Sequence, residues 1–136
     1  MPKPLTPRQR FAHHVVDALR GFGPVEARAM FGGFGIFRHG LMFGLIADDQ
    51  LYFKADDQSA PEFAARGLNP FRYTAKGRTT ELRYFQAPPE VFDDDQQMAE
   101  WAGKGYECAL RAQRVKDARS ARSAARRKAT PRPRPG

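Results

Sequence analysis

Between Phe34 and Ala55 three short runs, Phe34 to Arg38, Leu41 to Ala47 and Leu51 to Ala55, are separated by His39-Gly40 and by Asp48-Asp49-Gln50. Linkers this tight leave no room for a crossover helix, so the runs must pair as an antiparallel meander. Leu41 to Ala47 is apolar at consecutive positions, the pattern of a central strand covered on both faces.

The flanking segments complete the order. Thr6-Pro7 offers a hydroxyl cap and a proline in the first turn of a helix. Phe11, Val15, Ala18, Leu19 and Phe22 follow at helical spacing, and Gly21, Gly23 and Pro24 end it. Val25, Ala27, Ala29 and Phe31 alternate with Glu26, Arg28 and Met30 as a strand, which Gly32-Gly33 breaks. Past the meander, Asp56 or Asp57 caps a short helix carrying Phe63 and Ala64, ended by Gly67. Asn69-Pro70 opens an extended segment, Phe71 to Lys76. Gly77-Arg78 occupies a hairpin turn, and Thr79 to Gln86 returns as its partner. After Ala87-Pro88-Pro89, the carboxylates Asp93 to Asp95 suit a helix start. Met98, Trp101, Tyr106 and Leu110 give that last helix an apolar face, which Gly103 and Gly105 weaken. The predicted order is α-ββββ-α-ββ-α. That order implies the α+β class, with a mostly antiparallel sheet of about five to six strands backed by helices.

Charge divides the chain. From Arg111 to Gly136 ten Lys or Arg face one acid, Asp117; the preceding 110 residues carry thirteen bases and fourteen acids. The net charge of +8 therefore belongs to the tail and says nothing about the folded part. The expected division is a domain over 1–110 and a basic tail over 111–136. The tail is expected to continue the last helix and then, beyond about Ala118, to lose order for want of large apolar residues. Its final Thr-Pro-Arg-Pro-Arg-Pro-Gly favours an extended backbone. No stretch reaches the roughly 20 apolar residues of a membrane span, and the polar N-terminus lacks a secretory pattern. With a lone cysteine, Cys108, the chain reads as cytoplasmic, without a membrane role or an intramolecular disulfide.

The chemistry-bearing residues have local explanations. Phe31-Gly32-Gly33-Phe34-Gly35 lacks the spacing of a dinucleotide or P-loop motif, and its glycines suit a bulge or close packing between strands. His13 and His14 point to different sides of a helix and cannot share a metal as an i, i+4 pair would. Cys108 has no base placed near it and reads as a small buried hydrophobe. The pairs Asp48-Asp49 and Asp56-Asp57, with Asp93 to Asp95, sit where turns and caps want carboxylates. No catalytic, cofactor or metal site is expected, and the chain reads as a non-enzyme.

Two basic features remain. The hairpin places Arg72, Lys76, Arg78 and Arg83 beside Phe71 and Tyr73, with Arg72 and Lys76 on the strand face opposite those aromatics. The tail contributes Arg111, Arg114, Lys116, Arg119, Arg122, Arg126, Arg127, Lys128, Arg132 and Arg134, a charge that either binds nucleic acid by releasing counterions, with little sequence preference, or serves only to keep the chain in solution.

Several blocks, in order, resemble the N-terminal domain of the TfoX/Sxy family: Met30-Phe31-Gly32-Gly33-Phe34-Gly35-Ile36-Phe37, Gly40 to Ile46, Leu51-Tyr52-Phe53-Lys54, Pro70-Phe71-Arg72-Tyr73, Tyr84 to Pro88, and the final helix with Trp101. The similarity spans roughly Phe11 to Leu110. It implies a regulator of bacterial competence, a family thought to act with the cyclic-AMP receptor protein on competence promoters, and a single-domain member lacking the family's C-terminal domain. The expected function is a regulatory interaction domain acting through a protein partner, transcription machinery or a regulator, with the tail adding non-specific affinity for nucleic acid. The alternative is a nucleic-acid-binding protein whose tail and 72–83 hairpin form one basic surface.

Overall fold

A computed structural model describes residues 4–30 and 32–129. Helix α1 (Pro7–Ala18) starts on a reciprocal capping box: the Thr6 hydroxyl accepts from the Gln9 amide, and the Gln9 side chain accepts from the Thr6 amide. Strands β1 (Glu26–Met30), β2 (Gly33–Arg38), β3 (Leu41–Ala47) and β4 (Gln50–Lys54) follow. Helix α2 (Ala60–Ala65), strands β5 (Pro70–Ala75) and β6 (Arg78–Gln86), a 3-10 turn (Pro89–Phe92) and helix α3 (Asp95–Ala129) complete the chain. The α+β order expected from the sequence stands, and the sheet is antiparallel throughout with six strands in the order β1-β2-β3-β4-β6-β5.

Three hairpin loops have two residues each with positive φ at both, His39-Gly40, Asp48-Asp49 and Lys76-Gly77. That geometry matches the right-handed twist of the flanking strands. The last loop corrects the predicted position by one residue. Gly77 takes the second left-handed position, so Lys76 sits in the turn and not on the strand face beside Arg72.

All three helices pack on one face of the sheet. Val15 of α1 and its C-cap Leu19, Phe63 of α2, and Met98, Trp101 and Ala102 of α3 form one cluster with Ile36, Phe43, Ile46, Leu51 and Phe53. A bulge in the β2–β3 pairing sets which β3 side chains join it. Ile36 pairs with Gly44 and Phe37 with Met42, leaving Phe43 as the extra residue. Phe43 and Gly44 thus both turn toward the helices, where Phe43 meets Phe22, Phe53 and Tyr106 at ring distances of 5.4, 6.4 and 5.7 Å. Gly105 explains why α3 lies so close. A Cβ there would stand 2.9 Å from the Phe43 carbonyl oxygen and 3.2 Å from the Phe53 Cβ. The glycine that reads as a weak point of the helix is what lets it approach the strands.

Asp94 caps α3, accepting from the amides of Gln96 (2.9 Å) and Gln97 (3.2 Å), as a carboxylate at that start should. The helix then runs to Ala129, past the point near Ala118 where its order was expected to end. Burial was the wrong criterion there. The segment holds no Gly or Pro between Tyr106 and Ala129 and is rich in Ala and Arg, so it propagates from an already packed first half. Residues 130–136, with Arg132 and Arg134, lie outside the described residues, as do Phe31 and the side chain of Lys128.

Candidate interaction surfaces

The outer face of the sheet carries Arg28 and Met30 from β1, Phe37 from β2, Met42 and Leu45 from β3, Tyr52 and Lys54 from β4 and Phe71 and Tyr73 from β5, as pairing and alternation require. Among the described residues no helix covers it. Leu45 is nonetheless buried and stands outside the cluster that the helices make with the sheet. Its cover is other outer-face side chains. The site a Gly35 Cβ would occupy lies 2.8 Å from the Phe37 ring, 3.0 Å from the Met30 sulfur and 3.2 Å from the Met42 sulfur. Arg28 stacks over Phe37 at 4.5 Å, Tyr52 meets Phe71 edge-on at 5.2 Å, and Phe71 stacks on Tyr73 at 6.1 Å. Tyr73 is 45% exposed and Leu82 of β6 is 37% exposed. The consecutive apolar residues of β3 imply cover on both faces; the structure supplies a helical layer on one.

The basic hairpin is more neutral than its sequence suggests. Arg72 pairs with Glu81 across the strands at 3.0 Å, and Arg83 pairs with Asp57 at 2.5 Å. Arg78 is exposed at the start of β6, and Lys76 is exposed in the turn. β4 meets β6 only from Tyr84 to Gln86, so the tip of the hairpin overhangs the end of β4.

The distal part of α3 leaves the body beside the same end. Arg111 donates to Asp56 through Nε (2.7 Å) and Nη2 (3.1 Å), and Asp56 also accepts from the Ser59 amide (3.0 Å) and hydroxyl (3.2 Å). The Arg111 guanidinium holds the Asp56 carboxyl well below the usual carboxylate range. Adjacent carboxylates thus root both projections, Asp56 the helix and Asp57 the hairpin. In the sequence the two carry only the signal of a turn or cap, because partners 55 and 26 residues away leave no local trace. From Arg114 to Arg127 every residue is exposed.

The remaining candidates take structural places. His14 stacks on Phe92 at 5.2 Å, His39 occupies a turn, and no cluster able to hold a metal ion occurs among the described residues. Burial, and secondarily Asp56, push the Cys108 thiol up to about 11, so it stays a neutral core group. An open cleft of about 910 Å³ lies between the start of α1 and the β1–β2 and β3–β4 turns, lined by Arg8, Gly33, Asp48 and Asp49 among others. No described helix is long and apolar enough to cross a membrane.

The model of the TfoX N-terminal domain matches residues 17–109, from within α1 through the whole sheet to the packed half of α3. The chain belongs to that family. DNA transformation protein TfoX1 of Aliivibrio fischeri (strain ATCC 700601 / ES114) is 29% identical over 75 residues, covering 55% of this chain and 35% of TfoX1. The chain therefore matches about a third of the length of that relative. The family match stops before Arg111, so the exposed basic part of α3 lies outside the TfoX N-terminal segment.

Proposed function

We propose that this TfoX N-terminal domain is a non-enzymatic regulatory module of transcription that works by docking a protein partner on the outer face of its sheet. The observation that carries the reading is that one-sided helical layer over a sheet whose other face also carries large apolar side chains, among polar ones such as Glu26 and Gln86. Met30, Phe37, Met42, Leu45, Tyr52 and Phe71 gather there, rimmed by Arg28 and Lys54. Methionine and aromatic side chains combine large contact area with the ability to repack, which suits a surface that accepts another protein. A contiguous apolar patch with a charged rim is the usual mark of such a site. The similarity to a DNA transformation protein supports competence as the regulated process, and the family resemblance nominates the cyclic-AMP receptor protein or the transcription machinery as the partner.

A photo-cross-linking amino acid placed at Tyr73 tests this in the native host. The expected product is one discrete protein adduct, absent when the same group replaces Glu100 on the helical side. Equal adduct patterns from the two positions would remove the outer face from consideration.

A further inference from the structure

We infer that the exposed half of α3, from Lys116 to Arg127, is a preformed helix for the major groove of duplex DNA. The inference is independent of the sheet-face reading, since it concerns a segment outside the family match. From Arg114 to Arg127 there are six bases and one acid, Asp117. At 3.6 residues per turn, Lys116, Arg119, Arg122, Arg126 and Arg127 fall within about 140° of arc. Asp117, Ala118, Ala121, Ala124 and Ala125 fall on the opposite side, where Gln113 donates to Asp117 at 2.9 Å. The cationic stripe is about 17 Å long at 1.5 Å rise per residue.

What the stripe lacks narrows the partner. Beyond Val115 the described part of the helix has no large apolar residue, so it offers neither the heptad seam of a coiled coil nor the apolar face that inserts into a lipid surface. It carries no aromatic ring on which unpaired bases could stack. A linear array of one ammonium and four guanidinium groups fits a row of phosphates. The small residues behind the stripe keep the helix slim, and the B-form major groove, about 12 Å wide, admits a helix, whereas the A-form groove is too narrow. Helical order before binding removes the folding cost that a disordered basic tail would carry. The Asp56–Arg111 pair ties the helix to the domain where its exposed half begins.

The test uses the full chain and a fluorescent 24-base-pair DNA of arbitrary sequence, with anisotropy read across a salt series. Five phosphate contacts predict a slope of about −4.5 in log affinity against log salt, which is a loss of about 500-fold between 50 and 200 mM. A charge-neutral rearrangement, Arg119→Ala and Arg122→Ala with Ala118→Arg and Ala121→Arg, keeps net charge and helix propensity while breaking the stripe. It is expected to weaken binding at least tenfold and to flatten the slope by about two, at unchanged helicity by circular dichroism. Unchanged affinity in that variant would show that charge alone matters and overturn the inference. Equal binding of single-stranded DNA or of duplex RNA by the unaltered chain would overturn it as well.

Discussion

Both faces of the sheet carry large apolar side chains, the outer one mixed with polar residues such as Glu26 and Gln86, and the rest of the chain treats them differently. On one, Phe43, Phe53 and Ile36 are fully covered by three helices. On the other, Phe37 pairs with Met42 and Tyr52 meets Phe71, and Tyr73 and Leu82 remain open to solvent. Apolar content therefore does not distinguish a core from an interface. What distinguishes them is whether the chain itself supplies the second layer. The inner face holds the fold together, and the outer face is the one we propose docks a partner.

The contrast is breakable by mutation, most severely on the inner face. Phe53→Ala removes a fully buried ring that meets Phe43 and lies under α3. It should cost about 3–5 kcal/mol in urea unfolding. A cost under about 1 kcal/mol would mean that the helical layer is not the principal core. Gly105→Ala is a milder probe of the same contact: the added methyl must displace the Phe43 carbonyl or the helix itself, for about 1–3 kcal/mol. An exposed helical glycine would respond oppositely, gaining from the exchange.

A third probe concerns the root of the distal helix. The Asp56 carboxyl is held low chiefly by Arg111, so its contribution is fully present above the ordinary carboxylate pKa near 4 and is lost as pH falls below it. Asp56→Asn should therefore lower stability by on the order of 1 kcal/mol at pH 7 and flatten the decline of stability below pH 4. If the variant loses stability in parallel with the parent at every pH, the pair does not carry that acid dependence.

Much of this was legible because the signals are local. Two-residue loops set the strand pairing of the meander, and the Thr6 and Asp94 caps mark where two helices begin. The capping residues and glycines that end helices act through backbone groups within a few positions. The bulge that turns Phe43 inward has no such signal, since it depends on register against a neighbouring strand. Gly105 reads as a helix weakness until the strand beneath it is known. The pairing of Arg72 and Arg83 with Glu81 and Asp57 comes from tertiary placement, so the sequence overstates the charge that the hairpin offers. The length of α3 is missed for the opposite reason: intrinsic propensity extends a helix that packing has started, even where nothing further is buried.

The most direct test of the contrast pairs two readings on one variant, Tyr73→Glu with Leu82→Glu, which places charge on the most exposed part of the outer face. Urea unfolding of the purified protein and a competence-gene reporter in a host lacking the native copy would be measured together. The account predicts a stability loss of no more than about 1–2 kcal/mol, as for two cross-strand contacts, and loss of the reporter response at normal protein level. A variant that is equally stable and fully active would contradict it, leaving the outer face without a part in regulation.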